Sequence, residues 1–285
     1  MECVENDKGV VGLLLNYRES ERTVRCVDNL FAQGVMHVVV VDNSDDQGES
    51  HAFLRAAYAA NSCVSLLNGQ NNLGFAAGVN LGVDWIRSNI AACRYVLLLN
   101  NDAVMLEDGV SQLVAALEKA TGCVIAFPQI DNNGKIQGKT YAHRLTGLLS
   151  SRKLPGSFFH CSGCCILVAL SRLSEKLFDE RFFMYGEDME LGWRMGERRM
   201  VFVPKTLVFH EGSVSSKMGS PFYEKSLVIA HLKLIDRIKK NKVDLIVLWI
   251  ARLTMLACRA VLRSLRFKSI IPLRCFLSGS LTALK

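Results

Sequence analysis

Apolar runs and amphipathic stretches alternate along the first hundred residues. Val10-Val11-Gly12-Leu13-Leu14-Leu15 predicts a buried strand, and residues 19–33 predict an amphipathic helix behind it. The unit repeats: an apolar run at 38–41 and a helix at about 49–60, a run at 64–67 and a helix at about 76–88, then a run at 95–99. Strands that are apolar on both faces and separated by helices form a mostly parallel sheet covered on both sides.

Beyond Glu118 the pattern shifts to a strand at 124–127, a turn at Asp131-Asn132-Asn133-Gly134, and a strand-like run at 164–169 before a short helix. From about Ser226 the chain turns helical, and 243–267 is apolar with Arg252, Arg259, Arg263 and Arg266 interspersed. There is neither an internal repeat nor a low-complexity linker. The expected organisation is a catalytic domain over 1–230, with a nucleotide-binding half at about 8–105 and an acceptor-binding half at about 106–230. A basic amphipathic tail follows over 231–285.

With 285 residues, half of them apolar, the chain can bury a full core. The net charge of +7 is uneven: from 232 to 285 twelve Lys and Arg face only Asp236 and Asp244, so the tail carries +10 and the remainder −3. Such a tail can lie on an anionic membrane surface, or pack as a helical pair with solvated charges. Its cations are interleaved with aliphatic residues rather than stacking aromatics, which argues against nucleic acid. Ten cysteines scattered through apolar runs behave as small hydrophobes and suit a reducing compartment. The polar, acidic start of the chain lacks a signal-peptide pattern, so a cytoplasmic location is expected. Cys161-x-x-Cys164 has no second ligand pair at zinc-site spacing and reads as coincidence.

In open α/β sheets ligands bind beyond the carboxyl ends of the strands. Asn16-Tyr17 follows the first strand, Asp42-Asn43-Ser44 the second, and Asn100-Asn101-Asp102 the fourth. Asn72-Leu73-Gly74-Phe75-Ala76-Ala77-Gly78-Val79-Asn80 follows the third, with glycines that permit close backbone approach at a helix start. A carboxylate at the end of a buried strand seeks a cation, and Asp102 with its Asn neighbours offers hard oxygen ligands of the kind Mg2+ or Mn2+ prefers. Alone, Asp102 could equally cap the next turn. Glu187, Asp188 and Glu190 open a helix whose dipole favours an ionised base, although helix capping explains them too. His210 ends another apolar run and becomes a metal ligand only if it converges with Asp102.

Taken in order, these segments resemble family 2 of the glycosyltransferases, the inverting GT-A group. The nearest subgroup is the rhamnosyltransferase-like bacterial enzymes of surface-polysaccharide assembly. The carriers are Leu15-Asn16-Tyr17, Val41-Asp42-Asn43-Ser44, the 72–80 segment, Leu99-Asn100-Asn101-Asp102, Phe183-Met184-Tyr185-Gly186-Glu187-Asp188 and Val208-Phe209-His210. The resemblance implies a GT-A α/β fold with a C-terminal helical extension, and a dTDP- or UDP-linked donor, dTDP-rhamnose first. The acceptor would be a glycan or a lipid-linked one, met at the inner face of the cytoplasmic membrane. Asn16, Tyr17, Asp42, Asn72, Gly74, Gly78, Asn80 and Asn101 would hold the nucleotide diphosphate. Asp102, with His210, would hold Mg2+ or Mn2+, in a site that departs from the family's DxD form at Asn100. Asp188 would be the base, with His160, Ser162, Glu187 and Trp193 on the acceptor side. A UDP-hexose or UDP-N-acetylhexosamine transferase would carry the same motifs. A non-catalytic nucleotide-sugar binding protein is the alternative from another class. A nucleotidyltransferase would need a Gly-rich, basic phosphate loop that Asn16-Tyr17-Arg18-Glu19 lacks.

Overall fold

A computed structural model describes residues 8–68, 71–212 and 218–284. The opening units fold as the pattern requires: β1 (Val10–Asn16), α1 (Ser20–Ala32), β2 (His37–Asp42), α2 (Glu49–Ala57), β3 (Val64–Asn68), α3 (Phe75–Asn89) and β4 (Tyr95–Leu99). Next come β5 (Ala103–Met105), α4 (Gly109–Lys119), β6 (Ile125–Asn132), β7 (Lys135–Gln137), β8 (Thr140–His143), β9 (Leu149–Ser150), β10 (Ser157–His160) and β11 (Cys165–Ala169). The chain ends through α5 (Glu187–Met195), β12 (Met200–His210), α6 (Pro221–Ile238), α7 (Lys242–Phe267) and α8 (Ile271–Ala283).

Among the described residues the main sheet runs β3-β2-β1-β4-β11-β6-β12-β5, with β7 paired to β6. The four leading strands are parallel, as expected. The second half makes the sheet mixed: β11 is antiparallel to both β4 and β6, and β5 is antiparallel to β12. The reason is connectivity. A short turn rather than a crossover helix leads from β10 into β11, so nothing carries the chain back to start at the same edge. Alternate residues of each central strand feed two cores. Val10, Leu14, Val38, Val40, Leu97 and Leu99 face one helical layer, while Val11, Leu13, Val39, Val41, Val96 and Leu98 face the other. This double burial is why the strands read as unbroken apolar runs rather than as alternation.

The tail is not a separate layer of solvated helices. A third core joins Phe182 and Met189 to Val228, Leu232, Ile235, Leu248 and Leu256, and the boundary expected at residue 230 falls inside α6. The expected orientation of α7, with its apolar face inward and its arginines outward, is reversed. Its buried stripe is Leu248, Arg252, Leu256 and Ala260. Arg252 is fully buried, donating to His231 Nδ1 at 2.6 Å and to the Arg144 carbonyl at 2.9 Å. Burial and the facing guanidinium push the His231 pKa down to about 3, so His231 stays neutral and can accept that bond. Arg263 pairs with buried Glu224 at 2.6 Å. Acceptors on α6 and on the segment after β8 draw the arginines in, which leaves Val243, Ile246, Ile250, Leu262 and Leu265 facing out. By length and composition α7 could cross a membrane, contrary to the expectation that its arginines interrupt any such span.

Candidate active site

Strand direction gathers the chemistry. β1, β2, β3, β4, β6 and β12 all run the same way, so Asn16, Asp42, the Asn100–Asp102 turn, Asn132 and His210 end at one edge. β11 begins at that edge, and the Cys164 carbonyl receives the Asn100 N–H at 2.9 Å.

Asn16 is fully buried and its amide is saturated. Nδ2 donates to Asp42 Oδ1 at 3.0 Å and to Ser44 Oγ at 3.1 Å, and Oδ1 receives the Thr23 hydroxyl at 2.8 Å. Asn101 donates to that hydroxyl at 2.9 Å, so one chain of hydrogen bonds ties β1, β2 and β4 together. The expectation that Asn16 holds the nucleotide directly is therefore corrected: with no free donor or acceptor, Asn16 orients Asp42. Asp42 is itself 3 % exposed, its Oδ1 also receiving the Ser44 N–H, and its Oδ2 lies 3.8 Å from His51 Nδ1. Tyr17 is half-buried, with Arg18 5.4 Å over its ring. Thr23, Ser44 and His51 were missed in the sequence. Ser44 adjoins a motif residue, but nothing local marks Thr23 or His51.

The 72–80 segment divides into two functions. Asn72 Oδ1 caps the Gly74 N–H at 2.9 Å. Gly74 has φ +79°, and a side chain there would run into the Phe183 carbonyl, so the turn can lie against the 181–185 segment only with glycine. Gly78 and Asn80, expected at the nucleotide, sit inside α3. Gly78 leaves room for Asn43 and Leu15. Asn80 clamps Phe178, donating to its carbonyl at 2.8 Å and accepting its N–H at 3.0 Å, because a buried amide must be paired. Both residues pack the helix and do not present atoms to the strand-end edge.

Asp102 and His210 converge. β12 pairs with β5 so that His210 lies beside Ala103, and His210 Nε2 reaches 3.1 Å from Asp102 Oδ1. His210 Nδ1 bonds Asn132 Oδ1 at 2.8 Å, while Asn132 Nδ2 donates to Gln137 at 3.2 Å. That orientation makes Asn132 an acceptor, so Nδ1 carries the proton and the Nε2 lone pair of the neutral ring faces a carboxylate oxygen. Two acceptors aimed at one point call for a cation, and an imidazole held from behind is the usual arrangement of a metal-ligating histidine. No third His, Cys, Asp or Glu joins them among the described residues.

α5 brings the acidic pair alongside. Gly192 lets this helix touch β10, since any side chain there would strike the Phe159 carbonyl and His160. One turn earlier, Asp188 Oδ2 lies 3.8 Å from His160 Nδ1, and Oδ1 accepts the Met189 N–H at 2.7 Å. Glu187 is buried with Oε2 unpaired; desolvation, then the Asp188 charge, push its pKa up to about 8. Ser162 Oγ accepts the Cys164 N–H at 3.3 Å, and Gly163 lies against Phe75 and Asp188. Trp193 packs edge-on to Phe158 at 5.2 Å, on the far side of α5, and belongs to the tail core. Cys161 and Cys164 are free and buried, and burial pushes the Cys161 thiol up to about 12. Cys63 alone among the described cysteines is disulfide-bonded.

A mixed sheet with nucleotide-site residues at its strand ends, a carboxylate-imidazole pair and an adjacent acidic helix start defines the GT-A fold of sugar-nucleotide transferases. The model of glycosyl transferase family 2 matches residues 13–174, more than half of the chain, which belongs to that family. A search of curated proteins finds no match. Among solved structures the fold resembles GalNAc-T7 with UDP, GalNAc and Mn2+ (TM-score 0.58, 16 % identity, 78 % of this chain and 48 % of that one). It also resembles residues 1–349 of Staphylococcus aureus TarS (TM-score 0.52, 14 % identity, 80 % and 65 %). A third relative is the mannosyltransferase PcManGT of Pyrobaculum calidifontis with GDP-Man and Mn2+ (TM-score 0.52, 15 % identity, 97 % and 87 %). The chain thus spans about half the length of GalNAc-T7 and two thirds of the TarS segment.

Proposed function

We propose that the protein is an inverting glycosyltransferase that moves a sugar, rhamnose from dTDP-rhamnose first, from a pyrimidine-nucleotide donor to a glycan or lipid-linked acceptor in cell-surface polysaccharide synthesis. The observation that carries this reading is the juxtaposition of the Asp102–His210 acceptor pair with the Asn16–Asp42–Thr23–Asn101 network at one sheet edge. Asp102 and His210 fit Mg2+ or Mn2+ by donor chemistry, with donor phosphates and water completing the shell. Bound there, the metal neutralises charge on the departing diphosphate.

The chain's own part is proton transfer and exclusion of the wrong charge state. Asp188 Oδ1 is held by the Met189 N–H, so Oδ2 takes the acceptor hydroxyl proton. The hydroxyl oxygen bonds the anomeric carbon while the bond from that carbon to the diphosphate oxygen breaks on the opposite face, and one displacement inverts the centre. Glu187 stays protonated near neutral pH, which leaves the negative charge of the pair on Asp188. A UDP-hexose or UDP-N-acetylhexosamine donor is the second reading, favoured by the UDP and GalNAc held by GalNAc-T7. The outward apolar stripe of α7, flanked by Lys239, Lys240 and Lys242 at one end and Arg266 and Lys268 at the other, supports peripheral attachment at the cytoplasmic face of the membrane.

The test is a thermal-shift panel of dTDP-, UDP- and GDP-sugars with Mn2+, Mg2+ or chelator. A cognate donor raises Tm only with metal, by mass action. No shift with any donor would remove the reading.

A further inference from the structure

A cavity of about 300 Å³ lies between the 181–185 segment, α6 and α8, away from the strand ends. Phe182, Met184 and Ile229 give it an apolar floor, and Arg181, Lys225 and Lys233 stand around it with no carboxylate among its lining residues. Arg181 is paired with Asp179 at 2.8 Å, and Lys233 donates to the Arg181 carbonyl at 2.7 Å. Lys225 takes part in no ion pair among the described residues. The surroundings are therefore apolar below and cationic above.

Its two ends differ. One is bounded by Tyr185, three residues before Asp188; Tyr185 (φ +66°) and Gly186 (φ +87°) turn the chain from the cavity wall straight into α5. The same wall is fixed to the donor side, since the Phe183 carbonyl accepts the Phe75 N–H at 2.7 Å. The other end is bounded by Thr282, on the turn of α8 that carries Leu281 and Leu284, 65 % and 68 % exposed. From residue 245 to 284 the chain contains no Asp or Glu, so the outer surface at that end is apolar or cationic throughout.

We infer that this cavity binds a single-chain lipid phosphate that serves as the acceptor, an inference that rests on the glycosyltransferase reading. The apolar chain enters beside Leu281 and Leu284 and lies over Phe182, Met184 and Ile229. The phosphate meets Lys225, Lys233 and Arg181, and the group beyond it passes Tyr185 towards Asp188. A two-chain phospholipid is disfavoured, because the volume is at the low end for ligand cavities and accommodates one chain.

Equilibrium dialysis of the full chain with farnesyl phosphate, farnesol and inorganic phosphate tests this assignment. Farnesyl phosphate should bind saturably and at least about tenfold tighter than either fragment, since chain and phosphate act together. Lys225→Glu and Ile229→Trp should each weaken it at least about tenfold with unchanged thermal unfolding. Lys225→Glu is a half-exposed charge change, so it remains informative if Ile229→Trp misfolds. Equal binding of farnesol, insensitivity to Lys225→Glu, or displacement by phosphatidylglycerol vesicles at equal lipid concentration would overturn the assignment. Farnesyl phosphate binding without sugar transfer from any donor would instead sink the functional reading and leave the cavity assignment standing.

Discussion

His210 Nε2 lies 3.1 Å from Asp102 Oδ1, although 108 positions separate the two residues. β5 is only three residues long, yet its pairing with the end of β12 sets this contact, and Asp102 also receives the Glu211 N–H on its carbonyl at 3.0 Å. The imidazole proton sits on Asn132, so the contact is a pair of lone pairs awaiting a cation.

Removing either ligand should therefore abolish the metal dependence of donor binding. Asp102→Asn and His210→Ala are each expected to weaken donor affinity at least about tenfold, or about 1.4 kcal/mol, in calorimetric titrations with Mn2+. Chelator should then have no further effect. Unchanged, chelator-sensitive affinity in both variants would rule the pair out as the metal centre.

Asp188→Asn should leave donor affinity intact and lower sugar transfer by roughly 10²–10⁴-fold, the span of a lost general base. The amide keeps the Met189 N–H as a partner through its oxygen, so the helix start should survive. Near-normal turnover would move the base elsewhere.

Glu187 makes stability pH-dependent in a stated direction. Its folded-state pKa, raised to about 8, exceeds its ordinary value of 4.5, so between those values the folded state holds a proton that the unfolded state has lost. Stability must fall as pH rises across that window, with a slope of at most about 1.4 kcal/mol per pH unit, and level off above it. Urea unfolding at a series of pH values should show a flatter profile for Glu187→Gln. Parallel profiles for the two proteins would contradict the raised pKa.

The outer stripe of α7 should carry membrane attachment. Co-sedimentation with phosphatidylglycerol vesicles is expected to weaken with salt, since each basic residue near an anionic surface contributes about 1 kcal/mol. It should be lost in Ile246→Asp/Ile250→Asp, whose side chains are 59 % and 63 % exposed and support no core. A vesicle-indifferent protein that gel filtration shows as a dimer, dissociated by the same double substitution, would assign the stripe to a second copy instead.

Local pattern alone determined the strands and much of the site. Doubly buried parallel strands need unbroken apolar runs, and such runs leave their first polar residues, Asn16, Asp42 and Asp102, at a common edge. What those residues do there depended on partners far along the chain. Asn16 and Asn80 read as ligands, but their amides are saturated by Thr23 and Asp42 and by Phe178, contacts no local pattern encodes. His210 could be weighed only once β12 was paired with β5. The arginines of α7 read as an outer charged face until Glu224, His231 and the Arg144 carbonyl, on other elements, drew them inward. Periodicity states which residues share a face of a helix; which face is buried is set by the groups packed against it, and only the tertiary structure brings those groups near.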